Sequence, residues 1–194
     1  SNPGLGKTHL LQAIGNFTLQ NNPSMRVVYL TSEKFMHHFI RSIQNNKSSE
    51  FISEYRNIDM LLLDDAHFFQ NKEQTQEQFF HLFNDLYQQG KQIILTADEH
   101  PSELKGLKDR LLSRFQSGLI VDIQPPDLET RIAILMKEAE FNELEISYEV
   151  LELLATSIKS DIRTMKGALV RLLAISSLKK IDISNKLANE VLEN

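Results

Sequence analysis

Five residues near the start of the chain, Gly4-Leu5-Gly6-Lys7-Thr8, restrict its fold more than any other stretch. They lead into a run whose apolar residues Leu10, Leu11, Ile14 and Phe17 recur at helical spacing, which predicts a helix from Lys7 to about Gln20. Backbone N–H groups of a Gly-rich turn point at phosphate oxygens, and the helix N-terminus behind it adds a positive dipole. Gly6, Lys7 and Thr8 fit the last three fixed positions of the pattern G-x-x-x-x-G-K-[ST]. In that pattern the lysine reaches the β- and γ-phosphates of a nucleotide and the hydroxyl ligates Mg2+. Ser1 stands where the first glycine belongs, and the strand that normally leads into the turn is missing ahead of it. Such a strand lies inside a parallel sheet, where its loss exposes core and unpaired backbone groups. The expectation is therefore a piece of a longer polypeptide.

Residues 26–30 (RVVYL), 58–64 (IDMLLLD), 92–96 (QIILT) and 119–123 (LIVDI) read as strands. Between them, helical spacing is predicted from Ser32 through Ile43, over 50–56, over 73–89 and over 107–114. Strands alternating with helices indicate an α/β fold with a parallel sheet. After Pro125-Pro126 the pattern becomes helical throughout: Asp127 caps a helix carrying Leu128, Ile132, Leu135, Met136 and Ala139, and helices over 148–158, 161–178 and 184–192 follow. Two domains are predicted, an α/β nucleotide-binding unit over 1–124 and a small helical unit over 125–194.

A second motif supports the first. Leu61-Leu62-Leu63-Asp64-Asp65 is an apolar strand ending in two acids, which places carboxylates at the carboxyl edge of the sheet, where open α/β folds bind ligands. Asp64 is the candidate Mg2+ ligand, and Asp65 the group that orients or deprotonates an attacking water. Taken alone, the pair also reads as helix capping after a core strand; the spacing from the Gly-rich turn decides for the site. Thr96-Ala97-Asp98 ends the next strand and lies beside the same edge. Arg110 and Arg114 sit four apart on one helical face, where arginines pair with local acids or reach a neighbouring subunit's γ-phosphate. Arg163 opens an amphipathic helix whose Ile162, Met165, Leu169 and Leu172 turn inward.

The remaining composition excludes more than it proposes. Twenty-one Lys and Arg against 26 Asp and Glu give a net charge of -5, so any nucleic-acid contact must use a local patch. The absence of cysteine excludes a disulfide scaffold, a thiolate metal site and a cysteine nucleophile. No apolar run approaches the roughly 20 residues of a membrane span. His37, His38, His67 and His81 fit no zinc spacing and read as surface or packing residues, and Phe79, Phe80 and Phe83 read as core.

GLGKTHLLQAIGN (4–16), LLLDDAHFF (61–69), KEQTQEQFFHLFN (72–84), ILTADEHPSEL (94–104), DRLLSRF (109–115), PPDLETRIAIL (125–135) and DIRTMKGAL (161–169) together span nearly the whole chain. On these stretches the chain resembles the ATPase region of the bacterial replication initiators, the DnaA family, within the AAA+ class of P-loop NTPases. The resemblance implies a helical lid after the α/β unit and ATP/ADP with Mg2+ as cofactors. Gly4, Leu5, Gly6, Lys7, Thr8 and His9 correspond to the nucleotide-binding loop, Thr8 and Asp64 to the metal ligands, Asp65 to the catalytic carboxylate and Asp98 to the first sensor. Arg114 corresponds to the arginine finger, with Arg110 beside it, and Arg163 to the second sensor.

The helices within 31–56 match the insertion through which ATP-bound initiators stack into a filament that grips single-stranded DNA; Ile40, Arg41 and Lys72 fall where the family lines that channel. The resemblance also implies slow ATP hydrolysis used as a switch, self-assembly on origin DNA and duplex opening. The replicative helicase and acidic phospholipids are further implied partners, and the location is cytoplasmic, at the nucleoid. Ala66-His67 departs from the commoner Ile-Gln, and Gln74 replaces a basic residue of some members, which shifts DNA contact toward Lys72 and Arg41. A stand-alone initiator-like regulator and a helicase loader are the other readings of the same core. The EQTQEQFFHLFN and PPDLETR stretches weigh against the loader.

Overall fold

The computed structural model describes residues 3–159 and 161–193; Ser1, at the place of the first glycine, lies outside them. The chain divides into two compact units, one of residues 7–122 and one of Ile123 onward together with residues 3–6.

The first unit runs α1 (Lys7–Asn21), β1 (Val27–Thr31), α2 (Ser32–Gln44), α3 (Ser48–Arg56), β2 (Met60–Asp64), a 3-10 turn (Ala66–Phe69), α4 (Glu73–Gln88), β3 (Gln92–Leu95), a second 3-10 turn (Pro101–Glu103) and α5 (Asp109–Gln116). The strands form one parallel sheet in the order β1-β2-β3, with Leu30 opposite Leu63 and Leu63 opposite Leu95. A parallel strand covered on both faces reads as an unbroken apolar run, and MLLLD in the centre is such a run. Leu61 and Leu63 point into a core with Phe35, Phe69, Phe79, Leu82 and Leu86. Phe35 meets Phe79 edge-on at 5.4 Å between centroids, the arrangement that the ring quadrupoles favour. Phe79 and Phe83 are buried and Phe80 packs against them, so the phenylalanine stripe is core. Met60 and Leu62 point the other way, against Leu11 of α1. Gly15 lets α1 come close there, because a Cβ would press on Leu62 Cδ1.

The expected strand over 119–123 does not form; among the described residues the segment has no strand, and Leu119 is 94% exposed and Val121 70%. Its composition suits a strand, but a strand exists only where a neighbour completes its hydrogen-bond ladder. The sheet ends at β3, and nothing pairs with the outer edge of β3 among the described residues.

The second unit packs α6 (Leu128–Phe141), α7 (Tyr148–Ser157), α8 (Ile162–Lys179) and α9 (Asn185–Leu192) around Leu135, Leu154, Met165, Leu169, Leu172 and Leu187. Side-chain caps set three of the starts: Asp127 accepts from the Thr130 N–H at 2.8 Å, Asp161 from the Arg163 N–H at 2.8 Å, and Ser184 from the Leu187 N–H at 3.4 Å. Met136, expected inward, is exposed.

Candidate functional site

The carboxyl ends of three adjacent strands gather the polar groups of the first unit. Thr31 at the end of β1 lies opposite Asp64 at the end of β2. Thr96 follows β3, and its N–H donates to the Leu63 carbonyl at 3.0 Å, which sets it beside Asp64. Asp64 is only 2% exposed, yet it is not isolated. The Tyr29 hydroxyl donates to its Oδ2 at 3.0 Å, and the Thr96 hydroxyl donates to its Oδ1. Tyr29 reaches it because the two lie on the same sheet face two residues apart in register, a separation that a long side chain spans. Burial and the bond to Asp64 push the Tyr29 phenol above its ordinary value.

Asp65 leaves β2 in the left-handed region at φ 59°, where aspartate is among the few residues that sit readily. Its N–H donates to Thr96 Oγ1 at 3.0 Å, so one threonine orients both acids. Burial first, and then the Asp64 carboxylate, raise the Asp65 carboxyl above its ordinary value; His67 and Lys7 act against the rise and Asp98 adds to it.

Lys7, on the first turn of α1, is 8% exposed, and its Nζ lies 2.7 Å from Asp98 Oδ1. His67 Nε2 lies 3.6 Å from Asp98 Oδ2. Asp98 thus faces a lysine with one oxygen and an imidazole with the other. Thr8 is half-buried and His9 is exposed at the start of the same helix. Lys7, the adjacent pair Asp64–Asp65, and Asp98, three places far apart in sequence, therefore meet at one sheet edge.

The glycine turn belongs by its contacts to the second unit. Gly4 and Gly6 have φ of 78° and 93°, a conformation that favours glycine. The Gly4 carbonyl accepts from the Ile162 N–H at 3.1 Å, and a Cβ on Gly4 would overlap the Asp161 carboxylate. Leu5 is buried. Burial alone would raise Asp161, but hydrogen bonds from the Thr164 hydroxyl and the Arg163 N–H outweigh it and hold the carboxyl below its ordinary value. Arg163 stands on the first turn of α8.

The remaining predicted residues lie on outer faces of the first unit. The Arg114 guanidinium lies 5.6 Å from the Tyr87 ring centroid, and Arg110 pairs with Glu77 at 3.3 Å and covers Phe80 at 4.8 Å. Ile40 and Arg41 are exposed on α2 beside an open recess that also involves Lys34, His37 and His38. Lys72 is exposed ahead of α4, on a different element from Ile40 and Arg41. Tyr29 carries no motif that marks it in the sequence, because only strand register brings it to Asp64. His67, expected at the surface or in packing, sits between Asp65 and Asp98.

A family model described as the bacterial DnaA ATPase domain matches residues 1–122. The crystal structure of domain III from the Thermotoga maritima replication initiation protein DnaA is similar over 100% of this chain and 81% of that one, at 41% identity and a TM-score of 0.94. AMPPCP-bound DnaA from Aquifex aeolicus is 36% identical, with a TM-score of 0.78, over 93% of this chain and 57% of that one. A replication initiator DnaA bound to AMPPCP and single-stranded DNA is 32% identical, with a TM-score of 0.76, over 99% of this chain and 68% of that one. The chain thus spans little more than half the length of the Aquifex protein.

Proposed function

Since the chain belongs to the family of bacterial DnaA ATPase domains, we propose that it is the ATP-dependent switch of a chromosomal replication initiator. It binds ATP with Mg2+, assembles with further copies on origin DNA, engages single-stranded DNA and promotes duplex opening. The observation that carries this reading is the shared sheet edge. A buried Lys7 at a helix N-terminus, within 2.7 Å of Asp98, stands on the same edge as the Asp64–Asp65 pair. A phosphate that reaches Lys7 exchanges the Asp98 carboxylate for its own oxygens, one charge-assisted bond for another. The donor set suits Mg2+: a hydroxyl on Thr8 and a carboxylate on Asp64 are hard oxygen ligands, and the ion supplies charge neutralisation to the phosphates. Asp65 orients the attacking water. By resemblance alone, Arg163 senses the nucleotide, Arg114 reaches the γ-phosphate of a neighbouring copy, and Ile40, Arg41 and Lys72 contact single-stranded DNA. Nucleotide and strand binding are supported by the AMPPCP and single-stranded DNA in the related initiator structures.

The test separates binding from assembly. Lys7→Ala is expected to lose ATP binding in equilibrium dialysis. Arg114→Ala is expected to bind ATP as the unsubstituted chain does and to lose ATP-dependent assembly in sedimentation, with hydrolysis reduced in proportion. Assembly by Arg114→Ala at the same ATP concentration refutes the finger role, and unchanged ATP affinity in Lys7→Ala refutes the nucleotide site.

A further inference from the structure

The turn after β2 presents a second set of donor atoms. One ligand atom each from Asp65, His67 and Asp98 lie within 4.8 Å of one another. This set shares no residue with the Thr8–Asp64 pair: its donors are on Asp65, His67 and Asp98. Each of the three residues is held in place. For Asp65 it is the backbone that is held, by its left-handed conformation and by its N–H bond to Thr96 Oγ1 at 3.0 Å. The His67 ring packs on Phe68 with centroids 4.5 Å apart. Asp98 is anchored through Oδ1 by Lys7 at 2.7 Å, which leaves Oδ2 toward His67.

The distance between those last two atoms is informative. At 3.6 Å, His67 Nε2 and Asp98 Oδ2 are too far apart for a good hydrogen bond. Two ligands each about 2.1 Å from one tetrahedral ion lie about 3.4 Å from each other, close to the His67–Asp98 separation, and the Asp65 carboxylate, within 4.8 Å of both, closes in to complete the set. The charge balance points the same way: Asp65 feels the carboxylates of both Asp64 and Asp98, and the Lys7 ammonium lies on Asp98. A divalent cation balances what that lysine leaves. One imidazole with two carboxylates selects borderline ions over Mg2+, which binds imidazole poorly.

We propose that Asp65, His67 and Asp98 form a binding site for a divalent transition-metal ion of the Mn2+, Co2+ or Zn2+ class, filled without nucleotide and separate from the Thr8–Asp64 pair. His67 is the residue that creates the selectivity, since it supplies the one imidazole of the set. Three protein donors leave the ion open positions for water or a phosphate oxygen.

Mn2+ titrated into metal-stripped, nucleotide-free protein and followed by electron paramagnetic resonance tests the proposal. One saturable equivalent is expected, which equimolar Mg2+ does not displace, and His67→Gln weakens it at least about tenfold. Asp65→Asn does the same, and serves as the variant if His67→Gln does not fold. In the unsubstituted chain, substoichiometric Mn2+ broadens the His67 ring proton resonances before those of His37, His38 and His81. Titration of both variants like the unsubstituted chain, absence of saturable binding, displacement by equimolar Mg2+, or uniform broadening of all histidines overturns the site. A His67 ring that merely packs beside Asp98 and holds no ion gives that last pattern. ATP affinity measured on the same preparation keeps the outcomes apart, because failure of the nucleotide reading leaves the metal titration unchanged.

Discussion

Thr96→Val keeps the volume of the side chain and removes its hydroxyl, so it isolates what that hydroxyl does. Thr96 Oγ1 donates to Asp64 Oδ1 and accepts the Asp65 N–H at 3.0 Å. Asp64 is 2% exposed, so water does not take over the lost donor. A hydrogen bond to a charged group contributes about 1.5–3 kcal/mol, and a buried N–H left without its acceptor costs about 1 kcal/mol more. The expected loss is about 3 kcal/mol, a large share of the roughly 5–15 kcal/mol that holds a domain folded. Urea unfolding followed by tyrosine emission reads it, because three of the four tyrosines, Tyr29, Tyr55 and Tyr87, lie in the first unit. Tyr29→Phe removes the other hydroxyl on the same carboxylate. Tyr29 is 37% exposed, so solvent replaces part of its bond and the single loss is smaller, about 1 kcal/mol. Both donors serve one acceptor, so the double variant is not additive. A Thr96→Val protein within about 0.5 kcal/mol of the original, the range of an ordinary surface change, refutes the claim that Thr96 holds the acid pair.

Asp65→Asn is expected to stabilise the metal-free protein at neutral pH. The folded carboxyl titrates above its ordinary 3.8, so the folded state holds the proton more tightly than the unfolded one, and stability falls as pH rises through that interval. The gain of Asp65→Asn over the original therefore disappears as pH is lowered below the ordinary carboxylate range, which urea midpoints across pH check; a gain that grows on acidification has the wrong sign. Gly4→Ala combines a φ of 78° with overlap on the Asp161 carboxylate, and is expected to cost about 1–3 kcal/mol in thermal unfolding of the helical unit. Gly118→Ala, with open space around its Cβ position, is the control and is expected to change little.

The legible and the hidden parts of the fold divide along one line. Features that depend on neighbours in the chain were legible. The apolar run 61–63 places the central strand, Asp127 caps the helix expected after it, and the helices expected from Asp161 and Ser184 start there. Features that depend on neighbours across space were not. Residues 119–123 have the composition of a strand, but no partner's backbone accepts their ladder among the described residues. The exposure of Leu10 and Phe17 on α1 follows the same rule: helical periodicity says which residues share a face, and only the elements packed there decide whether it is covered.

Tyr29 makes the point most sharply. Inside VVYLT it reads as one more β-forming residue, and nothing within its own segment marks it. Its significance comes from register. Tyr29 lies opposite Leu62, which puts Asp64 two residues farther along the same face. A slip of one residue would turn the phenol to the other side of the sheet. The hydroxyl that steadies Asp64 is thus specified by the same pairing that builds the core: Leu30 meeting Leu63 on one face holds Tyr29 toward Asp64 on the other. Core substitutions that shift β1 against β2 should therefore disturb the acid pair without touching it, and a search for site residues in this family gains by reading the strand beside the acidic one together with the motif itself.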